Sequence, residues 1–120
     1  SYTEFDYSDF KLSAEKLNRD GKITASVRLK NVGKTDGYET AQWYLHDPFA
    51  SVVRPVKELK GYEKVFLKAG EEKILTFEVT EETLKFYTDG GEFAAETGKF
   101  ELFVGGNSKD CLKADFELAD

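Results

Sequence analysis

Twenty-three carboxylates, one histidine and one cysteine carry most of the latent chemistry of this chain, so their spacing decides which reactions to expect. Two carboxylates can hydrolyse a glycosidic bond, but only as a pair straddling a cleft at a defined separation. No spacing of Asp and Glu in this sequence demands such a pair. Serine hydrolysis fails on its own terms, because no G-x-S-x-G occurs and His46 has no evident serine partner. A lone Cys111 can form neither an internal disulfide nor a metal site by itself; it precedes the alternating "LKADFEL" and reads as a half-buried thiol at a strand edge. The glycines of "GGEFAAETG" and "VGGNSKD" lack the order of a phosphate loop and precede no helix, so they read as hairpin turns. "NRDG" and "NVGKTDG" offer oxygen ligands of the kind calcium takes, but turn chemistry accounts for the same residues. No catalytic residue, cofactor or metal is therefore expected.

What chemistry leaves unexplained is a surface. "DPFASVVRPVKELKGYEKV", Asp47 to Val65, holds both prolines of the chain amid charges and aromatics. Pro48 and Pro55 fix φ and remove amide donors, which favours a shaped connection over a strand. Phe49, Arg54, Tyr62 and Phe66 fall in or just after it, and Gln42 and Tyr44 occupy the face of their strand opposite Trp43. Exposed aromatics and arginine are what partner interfaces are enriched in; packing of the connection itself is the competing explanation.

The elements that must carry this surface are strands. Ile23, Ala25, Val27 and Leu29 alternate with Thr24, Ser26, Arg28 and Lys30, the pattern of a strand with one wet face. Tyr38 to Asp47 repeats it, with Ala41, Trp43 and Leu45 inward. "FDYSDFKLS", "KELKGYEKVFL", Lys73 to Thr80, "GKFELFVG" and "CLKADFEL" complete the set, while "EETLKFY" fits a helical turn or a short connection. About seven short strands punctuated by turns predict an all-β fold, an immunoglobulin-like or fibronectin type III-like sandwich of two antiparallel sheets. A chain of 120 residues is the size of one domain, taken as residues 1–120. A formal charge of −6 excludes a nucleic-acid partner, which requires clustered Lys and Arg. No apolar run approaches the roughly 18 residues of a membrane span, and "SYTEFDYSDF" has no signal-peptide pattern.

"SYTEFDYS", "NVGKTDGYETAQWYLHD", "ASVVRPVKELKGYEKVFLKAGEE" and "ETGKFELFVGGNSKD" resemble, in order and spacing, the C-terminal fibronectin type III-like domain of glycoside hydrolase family 3 enzymes. The most specific part is Arg54-Pro55 followed by Lys57, Leu59, Lys60, Gly61 and Lys64. The second is an N-x-G…G-x-E…Q pattern formed by Asn31, Gly33, Gly37, Glu39 and Gln42. Among branches, "NRDGKITASVRLKNVGK" and "RPVKELKGYEKV" look most like periplasmic β-glucosidases, and β-xylosidases share the domain. The resemblance implies that catalysis belongs to an N-terminal (β/α)8-like domain and an adjoining α/β sandwich, and that this chain is a non-catalytic accessory domain. Ser8-Asp9-Phe10 is similar to the family's S-D-W nucleophile motif only superficially, since it stands in the first strand. The resemblance further implies a periplasmic location and an interdomain interface formed by Gln42, Tyr44, Phe49, Arg54, Lys57, Lys60, Tyr62 and Lys64. An autonomous carbohydrate-binding module stacking sugars on Tyr44, Phe49 and Tyr62 is the alternative.

Overall fold

Alternation of apolar and polar residues builds two sheets whose inner faces meet. In the computed structural model, which describes residues 4–47, 57–87, 93–95, 97–107 and 110–119, one sheet holds β1 (Phe5–Leu12), β3 (Ile23–Asn31) and β6 (Glu72–Val79) in the order β1-β3-β6. The other holds β2 (Lys16–Asn18), β4 (Gly37–His46), β5 (Glu58–Leu67), β9 (Gly98–Gly105) and β10 (Cys111–Ala119) in the order β2-β10-β9-β4-β5. Between β6 and β9 lie a single helical turn α1 (Glu81–Leu84) and a small ribbon of β7 (Phe86–Tyr87) and β8 (Phe93–Ala94). The chain crosses from one sheet to the other between β1 and β2, back between β2 and β3, and again between β3 and β4, between β5 and β6, and between β6 and β9. These crossovers make the predicted sandwich. Among the described residues the expectation of antiparallel pairing holds for every strand pair except one: β2 runs parallel to β10.

The inward residues of the alternating runs are the core. Ile23, Ala25, Val27 and Leu29 from β3 face Ala41, Trp43 and Leu45 from β4, with Phe100, Leu102 and Val104 from β9 beside them, all buried. At the centre, Trp43 stacks on Phe77 of β6 with ring centroids 5.1 Å apart, and Phe10 of β1 meets it edge-on at 6.1 Å. That stack explains a glycine. Gly61 lies opposite Trp43 across the β4–β5 pair, and a Cβ there would come within 2.9 Å of the Phe77 ring, closer than packed carbon atoms approach.

Two irregularities redirect side chains. The β4–β5 register shifts at Trp43/Tyr44, so Gly61 faces Trp43 while Leu59 faces Tyr44 and Lys60 is the extra residue; this is a bulge. In β1 the register shifts between Ser8 and Lys11. There Asp9 takes a left-handed φ of 52°, a conformation that Asp tolerates better than most residues, and its carboxylate pairs with Arg28. Ser8-Asp9-Phe10 is thus part of a bulged strand, as its position in the sequence implied.

Candidate functional site

Strand parity places the candidate residues. On β4 the odd positions Ala41, Trp43 and Leu45 point inward, so Tyr38, Thr40, Gln42, Tyr44 and His46 point out. Pairing sets Phe66 beside Tyr38, Lys64 beside Thr40, and Tyr62 beside Gln42. The outer face of the β4–β5 ribbon is therefore aromatic and basic. Tyr38 and Phe66 pack with ring centroids 5.0 Å apart and a tilt of 58°, and Lys64 Nζ sits 4.7 Å from the centre of the Tyr38 ring. Lys57 Nζ lies 4.3 Å from the centre of the Phe103 ring, on the neighbouring β9. Tyr62 stands out from the face at 72% exposure.

Of the eight residues expected at an interface, Gln42, Tyr44, Tyr62 and Lys64 share this face, and Lys57 reaches its border through Phe103. Lys60 does not join them: the bulge turns it aside, where its Nζ binds Glu58 Oε1 at 2.8 Å with little of the side chain exposed. Phe49 and Arg54, together with Pro48 and Pro55, lie outside the described residues. Tyr44 and Gln42 serve the sheet as well, since the Tyr44 hydroxyl donates to Gln42 Oε1 and Gln42 Nε2 donates to the Gly106 carbonyl at 3.1 Å. Sequence reasoning passed over Tyr38 and Leu59. The even parity of Tyr38 on β4 was a sufficient signal for it; Leu59 was hidden by the bulge.

The second motif of the resemblance is architectural. Asn31, fully buried at the end of β3, donates from Nδ2 to the Thr35 and Leu67 carbonyls and accepts from the Gly33 amide. Glu39 points inward and accepts the Tyr7 hydroxyl at 3.1 Å. Burial, and then the neighbouring Glu39 charge, push the Tyr7 hydroxyl far above its ordinary range, so this phenol stays protonated and ties the two sheets together. A Cβ at Gly106 would come within 2.6 Å of Glu39 Oε2, so a larger residue there would have to displace the carboxylate that holds Tyr7.

The titratable groups that sequence reasoning weighed for chemistry are engaged structurally. Cys111 donates its thiol proton to the Asn107 carbonyl at 2.8 Å, and burial pushes that thiol up, away from the reactive thiolate. His46 Nδ1 lies 2.8 Å from Glu101 Oε1; a carboxylate only accepts, so Nδ1 carries the proton. Lys113 Nζ binds the other Glu101 oxygen at 3.1 Å. The hydrogen bond from His46, helped by Lys113 and partly opposed by desolvation, holds the Glu101 carboxyl below the usual carboxylate range. An open groove of about 510 Å³ beside this cluster is lined by Glu15, Lys99, Glu101, Asp115 and Glu117 over Phe100 and Phe116. Among the described residues no group of three His, Cys, Asp or Glu side chains is placed to hold a metal ion, and no helix is long and apolar enough to cross a membrane.

Glu101 makes a pH prediction. A carboxyl whose folded pKa is depressed adds stability above its unfolded pKa and loses it as pH falls through the folded value. Glu101→Gln should therefore destabilise the fold at neutral pH, with the deficit shrinking to nothing in acid below the ordinary carboxylate pKa of about 4.3. Urea midpoints of both chains across that range test it; a deficit independent of pH would show that the charge on Glu101 is not what matters.

An all-β sandwich with its aromatic face turned outward, and its ionisable groups tied into the framework, defines a module of the immunoglobulin-like class. The family model described as "Fibronectin type III-like domain" matches residues 39–108, and the chain belongs to that family. It is 48% identical over 118 residues to the periplasmic β-glucosidase of Salmonella typhimurium, covering 98% of this chain and 15% of that protein. It is 42% identical over 118 residues to a putative β-xylosidase of Formosa agariphila, covering 98% of this chain and 16% of the relative. The crystal structure of a β-glucosidase from Listeria innocua in complex with gluconolactone superposes with a TM-score of 0.91 at 41% identity, covering 99% of this chain and 16% of that one. The chain thus spans about a sixth of the length of these proteins, and the resemblance to the fibronectin type III-like domain of family 3 glycoside hydrolases is borne out.

Proposed function

We propose that this chain is the non-catalytic accessory domain of a larger β-glucosidase-like enzyme, one that removes terminal non-reducing β-D-glucosyl residues, and that it packs against the catalytic domains of that enzyme in the periplasm. The observation that carries the reading is the match over 98% of this chain to 15% of a periplasmic β-glucosidase. A match of that form is what a domain within a longer glycosidase produces. The similarity to a β-xylosidase makes a xylosyl-cleaving parent the nearest variant of the same reading.

A sugar-binding module is less well supported. Saccharide platforms need coplanar exposed rings, whereas the exposed ring pair described on this face, Tyr38 and Phe66, is tilted by 58°; of the expected platform of Tyr44, Phe49 and Tyr62, Phe49 lies outside the described residues. The test compares the 120-residue chain with the intact parent on aryl-β-glucosides. Turnover is expected from the parent alone; enzyme-like turnover by the isolated chain, surviving controls for contaminants, would sink the proposal. Saturable binding of cello-oligosaccharides by the isolated chain, lost in Tyr44→Ala and Tyr62→Ala, would favour the module instead.

A further inference from the structure

The two outer faces of the sandwich differ in kind. On the strands of the β1-β3-β6 sheet one exposed large apolar side chain, Ile74, projects outward among polar side chains and charges that neutralise one another: Arg28 pairs with Asp9 and Glu72, and Lys22 with Glu78. Such a face has little to gain by leaving water. The β4–β5 ribbon is the reverse. Leu59, Tyr62, Phe66 and Tyr38 are four of the six large apolar side chains most exposed among the described residues, and all four project from these two adjacent strands. Contiguous exposed apolar surface of this sort marks an interaction site. Moreover, among the described strands β5 is the outermost of its sheet and ten residues long, so no described strand pairs with one row of its backbone donors and acceptors. Natural proteins cover such edges.

Charge narrows the occupant. In a chain of net charge −6, the described outward positions of the ribbon from Tyr38 to Tyr44 and from Leu59 to Phe66 carry one charged side chain, Lys64, held over Tyr38. Lys57 lies at the border over Phe103. The matching surface is apolar with carboxylates at its rim. Size narrows it further. A patch centred on four side chains is small beside the roughly 1,200–2,000 Å² that a specific complex between free proteins buries. It suffices, however, for two parts of one polypeptide, because tethering supplies an effective concentration of about a millimolar.

We infer that the outer face of β4–β5, centred on Tyr38, Leu59, Tyr62 and Phe66 with Lys64 at its margin, is the surface by which this domain seats on an apolar, carboxylate-rimmed face of the catalytic part of its own chain. This rests on the accessory-domain reading and specifies the contact that the reading leaves open. It shifts the centre of the contact from the proline-bearing connection to the two strands that the connection joins.

Hydroxyl-radical footprinting of the intact parent enzyme, with each residue referred to its own rate in the urea-unfolded chain, tests the assignment. Labelling of Tyr38, Tyr62 and Phe66 is expected to be lost in the native monomer, while Ile74, on the opposite outer face, keeps its labelling. Lys64→Glu leaves the core untouched and sets like charges together at the rim; it should restore labelling of Tyr62. Three results would overturn the inference: full labelling of the ribbon in the native parent, protection that disappears on dilution because a second copy supplied it, and protection that requires added cello-oligosaccharide. A Lys64→Glu enzyme with undiminished protection would overturn the carboxylate rim. Absence of a catalytic domain from the coding region around Ser1 would instead remove the accessory-domain reading, a separate failure visible before any footprint is taken.

Discussion

Trp43→Ala should cost the domain about 3–5 kcal/mol of folding free energy, the range for deleting a buried large aromatic. Trp43 is 2% exposed and stands where the two sheets are pinned together, stacked on Phe77 at 5.1 Å and met edge-on by Phe10 at 6.1 Å. Its removal leaves a hole that its neighbours cannot close. Phe77 is already in contact with Gly61, the cross-strand partner of Trp43, and Gly61 has no side chain to move into the gap. Trp43→Phe should cost clearly less, since a six-membered ring preserves most of the stack. Urea unfolding followed by far-UV circular dichroism provides the measurement, because the only tryptophan signal vanishes with the substitution. A lowered midpoint with an unchanged slope is the expected outcome; a loss below about 1 kcal/mol, the typical effect of an arbitrary substitution, would mean that the ring is not the keystone its burial indicates. Tyr62→Ala, on the outer face of the same ribbon, serves as the internal contrast and should fall within about 0.5 kcal/mol in the isolated chain.

The contrast between Trp43 and Tyr62 marks what was legible in the sequence. Period-two alternation assigns faces within one strand, and it did so correctly for Ile23 to Lys30 and for Tyr38 to His46, both regular over their whole length. Alternation carries no information about register between strands. The bulge opposite Trp43 changes parity within "KELKGYEKVFL", which is why Lys60 turns to Glu58 while Lys64, four residues later, keeps to the outer face. Short strands are also illegible: β2, of three residues, exists because Lys16–Asn18 pair in parallel with the end of β10, a long-range contact with no local pattern. The motif residues Asn31, Glu39 and Gln42 were readable as a family pattern, but their task, joining carbonyls, a phenol and a turn, depends on partners up to 64 positions away.

Asn31 makes the sharpest prediction of these, because one atom exchange inverts its chemistry. Its side chain joins three segments: Nδ2 donates to the Thr35 carbonyl at 2.9 Å and to the Leu67 carbonyl at 3.0 Å, and Oδ1 accepts from the Gly33 amide at 2.9 Å. Its backbone closes the same junction, accepting from the Gly70 amide and donating to the Glu71 carbonyl. Asn31→Ala strands one amide and two carbonyls in the interior, and at about 1 kcal/mol for each hydrogen bond lost should cost roughly 3 kcal/mol. Asn31→Asp keeps the shape but points a second oxygen at two carbonyls that need donors. Ionised and fully buried, it should cost more than alanine at neutral pH. Burial and the facing carbonyl dipoles disfavour its charge, so its folded pKa lies above the unfolded value of about 3.9. The sign follows from linkage: the excess cost is complete above the raised folded pKa, diminishes as pH falls through it, and is gone below about 3.9. Protonated, the new carboxyl donates to one carbonyl and still accepts from Gly33, so in acid Asn31→Asp should become more stable than Asn31→Ala. Urea midpoints of parent, alanine and aspartate chains across the acid range make the comparison, and an aspartate deficit that stays constant with pH would show that water or a rearranged junction, rather than these two carbonyls, surrounds residue 31.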